Sequence, residues 1–409
     1  MGFIEDLKSR NILAQITHEE ELITHLAEKP RSAYVGYDPT ADSLHVGHLI
    51  PTLVMRRWQK AGHRAVIVLG GGTSQIGDPT GKTDMRKMLD PEFRMSNIEK
   101  FKKQLSQFID FSSSEKGIIR DNSEWLEKLE YLPFITEVGK HMSVNRMLAA
   151  ECFKKRLEKG LTFMEFNYMC LQSYDFLHLY REEDVTVQLG GDDQWSNILA
   201  GMELVRKIER GQAFCATVPL LVKSDGTKMG KSEGGAVWLD PNKMSPFDFF
   251  QYWRNIEDDG VENCLNLLTD VEPEEVKELA NLEGSKINQA KIRLAHEITK
   301  LVHGEEEANK AKASAEALYS GGGAKTLNVP EVEVSQSDLG EGMDILNLLA
   351  HCKIVPSKKE GRRLLEQGGI LLNEEKVTDP KTVVTKSELE GEGLLVKKGK
   401  KNYYLLKLV

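Results

Sequence analysis

Cysteine is sparse in this chain, with five in 409 residues. Cys152, Cys170, Cys215, Cys264 and Cys352 are scattered, and no two form a CxxC pair. That argues against a disulfide framework and against a cysteine-based zinc site, and it makes a reduced, cytoplasmic setting the expectation. Long apolar runs are missing too. No stretch of about 18 apolar residues occurs, so no membrane span is expected. The opening residues, Met1 to Leu13, include acidic side chains and lack the apolar core of a signal peptide. No internal repeat and no long low-complexity tract is present. What remains is ordinary for a folded protein, 40% hydrophobic and 29% charged, at a length that suggests about two or three domains.

An excess of positive charge is also lacking. The 54 Lys/Arg and 63 Asp/Glu give −9 overall, which argues mildly against nucleic acid as a partner of the whole chain. The last stretch, Ser357 to Val409, departs from that balance. It carries 12 Lys/Arg against 8 Asp/Glu, a net of +4 that leaves −13 for the rest. A basic tail on an acidic body predicts an appendage with its own partner.

The first half alternates strand and helix patterns. Ala33 to Tyr37 is a short strand candidate that runs into Asp38-Pro39-Thr40. A helix is expected from about Val46 to Ala61, closed by Gly62, with Pro51 able to bend its start. Ala65 to Leu69 is continuously apolar and ends in Gly70-Gly71-Gly72, as a strand buried on both faces would be. Strand, helix and strand with short connections form a βαβ unit, so the class is α/β. Ile98 to Phe111 has helical periodicity, and Ile118–Arg120 and Val185–Leu189 read as further strands. Ser245 to about Leu318 is helical throughout. A Gly-rich, polar stretch from Ser320 to Gly342 reads as a linker. Two short helices and several short strands follow, with Gly399–Asn402 as a hairpin turn between Leu394–Lys398 and Tyr403–Leu408.

Glycine after a strand invites two nucleotide-binding readings, and both fail on spacing. A P-loop ending in Gly81-Lys82-Thr83 needs its first glycine at position 76, which is Ile76. The dinucleotide pattern GxGxxG is broken by Thr73, Ser74 and Gln75. Two other clusters suit polyphosphate. His45-Val46-Gly47-His48 opens the first helix, where ring N–H groups, backbone amides and the positive helix end converge, and Gly47 leaves room for a flat ring. Lys228-Met229-Gly230-Lys231-Ser232 lies in a polar loop after Val218–Val222, two lysines three apart that form a cationic clamp for a leaving pyrophosphate. Each cluster alone also fits a solvated surface. Phe163 to Tyr180 is apolar and aromatic nearly all round, as a buried helix is. Tyr168, Gln172 and Asp175 form a polar stripe on it that needs partners, either water or a polar ligand.

Taken together, these segments resemble the HIGH and KMSKS signatures of class I aminoacyl-tRNA synthetases. The likeness extends to Tyr34-Val35-Gly36-Tyr37-Asp38-Pro39-Thr40 before HVGH and to Gly77-Asp78-Pro79. It continues through Tyr168…Gln172…Asp175 and Gln188-Leu189-Gly190-Gly191-Asp192-Asp193-Gln194-Trp195. It is similar to the bacterial tyrosyl-tRNA synthetase family from nearly one end to the other. Gly230 departs from the family pattern by replacing the serine of KMSKS.

The resemblance implies a Rossmann-like parallel-sheet catalytic domain over 1–222 with the tyrosine and ATP sites. The KMGKS loop and an α-helical, anticodon-side tRNA domain occupy 223–319, and a linker occupies 320–342. A small α+β RNA-binding domain of ribosomal-protein type fills 343–409. It implies that tyrosine is activated by ATP, which comes with Mg2+, and is then passed to tRNA. No dedicated metal cage and no organic cofactor are expected. By family correspondence Thr40, His45, His48, Lys82, Arg86, Lys228 and Lys231 serve the reacting phosphates. Gly36, Asp38, Gly47, Gly191, Asp193, Gln194 and Lys231 hold ATP or the adenylate. Tyr168, Gln172 and Asp78 take the amino group of tyrosine, and Asp175 and Tyr34 its phenol hydroxyl. Lys358, Lys359, Arg362 and Arg363 would grip tRNA phosphates. A homodimer is implied by the family alone. The alternatives are a tryptophanyl-tRNA synthetase, which would not need the Tyr34–Asp175 hydroxyl pair, and an RNA-binding descendant without catalysis.

Overall fold

Six strands make the central sheet: β1 (Gln15–Ile16), β2 (Ser32–Tyr37), β3 (Arg64–Leu69), β4 (Gly117–Asp121), β5 (Val185–Gly191) and β6 (Phe214–Val218). They lie in the order β1-β6-β5-β2-β3-β4, parallel throughout except where β1 meets β6. Burial on both faces explains their composition. The last five residues of β3 and all of β6 are buried, which requires an apolar run rather than alternation. From β2 the chain builds outward through β3 and β4, then returns to place β5 and β6 on the other side. The reversal falls between β2 and β5, and a crevice at their carboxyl ends is where such sheets bind ligands.

This computed structural model describes residues 2–80, 90–222, 226–227, 229–232, 235–319, 331–373, 375–391, 393–399 and 402–409, with backbone alone at 155, 231, 232, 318, 319 and 402. The chain divides into two units, 1–239 with 262–277, and 240–261 with 278–409.

In the first unit, three helices frame the crevice: α1 (Val46–Lys60), α2 (Phe163–Glu183) and α3 (Trp195–Glu209). Helix α1 runs on through Pro51. Helices α2 and α3 cover one face of the sheet. Phe176, Leu177 and Leu179 of α2 join Ile198, Met202 and Val205 of α3 and Tyr34 of β2 in one core cluster. A capping box between Thr162 and Glu165 starts α2. Glu165 is also held by Arg156 at 2.7 Å in a buried ion pair.

Three expectations change. The helix expected over 98–111 spans Pro91–Leu105, with the Asp90 side chain as its cap. The domain boundary at 222 does not hold. Val46 N donates to Val237 O at 3.0 Å, Leu239 N to Leu44 O at 2.9 Å, and Arg57 Nη2 to Thr269 O at 2.6 Å. Residues 235–239 and 262–277 therefore fold with the sheet. The linker expected to run to 342 ends sooner, because Glu331–Val334 is a strand.

The second unit contains helices Pro246–Arg254, Ile287–His303 and Glu305–Tyr319. Its C-terminal part holds a sheet in the order Glu375–Lys376, Ile370–Leu372, Leu394–Lys398, Asn402–Leu408, Glu331–Val334. The last strand joins Asn402–Leu408 in parallel, and its Val334 is buried in the domain core. Only two apolar side chains, Val332 and Val334, mark that strand, so composition made it resemble a linker.

Candidate active site

The first residues of α1 are fastened by their own histidines. His45 Nδ1 accepts from Gly47 N at 3.0 Å, and His48 Nδ1 accepts from His45 N at 3.2 Å. The rings stack with centroids 3.9 Å apart. Because each Nδ1 is an acceptor, the neutral rings carry their protons on Nε2. A Cβ on Gly47 would lie 2.8 Å from His45 Cε1, so any larger residue would displace the His45 ring. The KMGKS segment reaches the same place. Gly230 has φ +90°, a left-handed conformation that favours glycine over the serine of the family pattern. A Cβ there would be 3.8 Å from Val46 Cβ and 4.0 Å from Gly47 N.

Beyond the carboxyl end of β2, Asp38 accepts from Tyr168 Oη at 3.1 Å and from Thr73 Oγ1 at 2.8 Å. Thr40 N closes a turn onto Asp38 O. Across the crevice Gln194 Nε2 donates to Asp78 Oδ2 at 2.8 Å, and Asn197 Nδ2 donates to Gln194 Oε1 at 3.1 Å. The triple glycine after β3 is required by close packing. A Cβ on Gly70 would fall 2.1 Å from Asp38 Oδ1.

The closed end lies between β2 and α2. Asp175 accepts from Trp125 Nε1 at 2.7 Å and from Asn122 Nδ2 at 3.0 Å. Asn122 Nδ2 also lies 3.0 Å from Thr73 Oγ1, and Asn122 Oδ1 accepts from Gly72 N at 2.8 Å. Burial pushes the Asp175 carboxyl up to about 7, against the lowering effect of Asn122 and Trp125. Tyr34 is 2% exposed, its ring centroid 5.4 Å from that of Phe176, and its hydroxyl has no hydrogen-bond partner. Burial and the nearby Asp175 carboxylate raise this phenol well above its ordinary range. A buried acid and a nearby buried hydroxyl without a partner mark this end of the crevice as a place for a polar ligand.

Most expected residues converge on this crevice. Gly36 lies on β2, Gly191 ends β5, Asp193 and Gln194 follow it, and Gln172 is half-buried on α2 between Tyr168 and Asp175. Lys82, Arg86 and Lys228 lie outside the described residues, as does the side chain of Lys231. Lys358, Lys359, Arg362 and Arg363 are exposed on helix Lys358–Glu366 of the second unit, where Arg363 is paired with Glu360 at 2.6 Å.

Comparison with known proteins identifies the frame. The family tRNA synthetases class I (W and Y) matches residues 26–320, and a tyrosine–tRNA ligase C-terminal domain matches 324–406. A tyrosine–tRNA ligase of Clostridium kluyveri is 55% identical over 397 residues, covering 97% of each chain. The chain belongs to the tyrosine–tRNA ligases. One from Clostridium botulinum is 54% identical over 398 residues, again at 97% of each. A crystal structure of a C-terminally truncated Aspergillus nidulans mitochondrial tyrosyl-tRNA synthetase matches with TM-score 0.69 and 27% identity, over 78% of this chain and 94% of that one.

Within this ligase, three polar residues of the closed end were not anticipated from sequence: Thr73, Asn122 and Trp125. In the sequence, Thr73 stands out only as a residue that breaks a glycine pattern. Asn122 follows β4 directly, a position at the carboxyl edge of a parallel sheet that is itself a usable signal.

Proposed function

We propose that this ligase activates L-tyrosine with ATP to tyrosyl-adenylate and pyrophosphate, then transfers the tyrosyl group to the 3′ end of its tRNA. The observation that carries the reading is the unpaired Tyr34 hydroxyl beside buried Asp175. Each Asp175 oxygen has accepted one hydrogen bond and keeps a second lone pair. A substrate phenol donates into one of those and meets Tyr34 with its own oxygen. Phenylalanine leaves the Tyr34 hydroxyl without a partner, at about 1–3 kcal/mol, and the remaining Asp175 lone pair unused. Asp78, Tyr168 and Gln172 line the other end for the amino group.

In the first step the substrate carboxylate attacks the α-phosphorus. An oxygen–phosphorus bond forms as the bond to pyrophosphate breaks. The carboxylate is already ionised at neutral pH, so no base is required. Catalysis is then positional and electrostatic. Thr40, His45 and His48 meet the phosphates at the positive start of α1, and Lys82, Arg86, Lys228 and Lys231 follow charge onto the departing pyrophosphate. Gly36, Asp38, Gly47, Gly191, Asp193 and Gln194 form the adenylate shelf. Magnesium enters with ATP, not on a protein cage. In the second step a terminal ribose hydroxyl attacks the tyrosyl carbonyl and AMP leaves. Lys358, Lys359, Arg362 and Arg363 bind the backbone of that tRNA.

A homodimer is supported by apolar side chains on the surface of the first unit, among them Tyr131, Leu132, Val144 and Phe163, with Leu132 71% and Phe163 68% exposed. A cytoplasmic location accords with free cysteines and, among the described residues, no helix long and apolar enough to cross a membrane.

Pyrophosphate exchange measured with tyrosine, phenylalanine and tryptophan separately tests the reading. Exchange should depend on tyrosine. Comparable exchange with tryptophan would overturn the assignment of substrate, and no exchange with any amino acid would leave an RNA-binding protein.

A further inference from the structure

One buried polar side chain at the closed end is not used by this scheme. Gln188 lies on β5, 2% exposed, and its Oε1 has no hydrogen-bond partner. In register across the sheet, Val66, Tyr34, Gln188 and Cys215 form one row on adjacent strands. Register partners on parallel strands point to the same face, and here Val66, Tyr34 and Cys215 all enter the core cluster beneath α2 and α3. A valine or leucine would pack in that row without stranding an amide oxygen, so glutamine is poorly explained by packing. Its amide lies near enough to the Tyr34 phenol to lower it, opposing the larger effects of burial and Asp175.

Resting on the tyrosine reading, we propose that Gln188 is a positioning residue that sets the direction of the hydrogen bonds by which the substrate hydroxyl is recognised. An ionised Asp175 is an acceptor only, so the substrate hydroxyl must give its proton to Asp175. The substrate oxygen must then accept from Tyr34. Tyr34, having directed its proton to the substrate, presents its own oxygen to a donor, and the Gln188 Nε2–H is the adjacent amide able to supply one. The chain runs from Gln188 to Tyr34 to substrate to Asp175, each donating to the next. Without Gln188, Tyr34 is free to turn its proton away from the ligand, and the pocket loses part of its preference for a phenol.

The test compares tyrosine and phenylalanine in pyrophosphate exchange for wild type, Gln188→Leu, Tyr34→Phe and the double variant. Gln188→Leu should lower the tyrosine-to-phenylalanine ratio of kcat/KM by about five- to tenfold. In the Tyr34→Phe background the same substitution should change that ratio by less than about twofold, because the hydroxyl it orients is gone. Equal losses for both amino acids in a variant with an unchanged melting temperature would overturn the proposal. So would an undiminished effect in the Tyr34→Phe background. A wild-type enzyme that does not activate tyrosine would defeat the tyrosine reading instead. If Gln188→Leu does not fold, 4-amino-L-phenylalanine tests the direction without it. That analogue donates well and accepts poorly, so Tyr34→Phe should weaken tyrosine use while nearly sparing the analogue. Equal weakening of both would show that the chain runs the other way.

Discussion

The closed end of the tyrosine pocket and the basic helix of the C-terminal domain handle polar ligands by opposite means. At Asp175 and Tyr34 the working groups are buried, few, and fixed by neighbours; at Lys358–Glu366 they are exposed and repeated. Burial makes each group at the first place decisive, because an unmatched partner has no water to turn to. Exposure makes each charge at the second nearly interchangeable, screened by salt and effective only in number. On the proposed reading, selectivity among amino acids belongs to the first unit and the salt-dependent grip on tRNA to the second.

The largest expected effect tests whether these tasks separate. Removing Ser320 to Val409 should keep tyrosine-dependent pyrophosphate exchange within about twofold while tRNA charging falls by about two orders of magnitude or more. A cut at 341 would be the wrong experiment, since it strands Glu331–Val334 without its partner strand. Charging by the truncated protein at the full rate would end the comparison. Next in size is Asp175→Asn. Loss of a charged, buried acceptor costs roughly 1.5–3 kcal/mol, so kcat/KM for tyrosine should fall about ten- to a hundredfold, with little dependence on salt. An unchanged value would remove Asp175 from the pocket.

The pH dependence sharpens the same point. With its carboxyl at about 7 in the empty pocket, Asp175 offers the stronger, charged acceptor to a phenol only once it has lost its proton. Tyrosine affinity by calorimetry should therefore weaken as pH falls below 7, by at most about tenfold per unit, and be flat over that range in Asp175→Asn. The folding contribution has the opposite sense. A carboxyl raised in the folded state favours folding most below its unfolded value near 4, and that contribution is lost as pH rises through 7. The smallest effects belong to the basic helix. Lys359→Ala should lower the log–log salt slope of tRNA binding by ~0.7–0.9. Arg363→Ala should lower it by less, because Glu360 already pairs with that guanidinium. Equal slopes for all four basic positions would show that the pairing does not persist when RNA binds.

What could be read from sequence divides along similar lines. Strands β2, β3 and β5 were legible because their apolar runs stop at Asp38, Gly70 and Gly190. The start of α1 was legible because its cap and its chemistry share two histidines. Strand β6, Phe-Cys-Ala-Thr-Val, is not legible although Phe, Thr and Val favour strands, because five residues buried throughout show no alternation to mark them. Strand β1 is only two residues long. The return of 262–277 to the first unit depends on backbone acceptors such as Thr269 O, which no side-chain pattern announces. In the site, Tyr34 and Asp175 could be named but not their setting. Asn122, Trp125 and Gln188 act through contacts between residues distant in the chain.

Asn122 also limits how this pocket can be rebuilt. Its one amide lies 3.0 Å from both Asp175 Oδ2 and Thr73 Oγ1, and Thr73 in turn donates to Asp38. On the proposed reading, recognition of the amino-acid ring and support of the adenylate shelf thus share a single hinge-pin. Exchanging Asp175 for an apolar residue to admit a different ring would leave that amide half-employed, and its reorientation would carry Thr73 and Asp38 with it. A redesign confined to position 175 should thus alter the nucleotide side as well, whereas one that replaces 122 and 175 together, keeping a donor for Thr73, treats them as the single component they are.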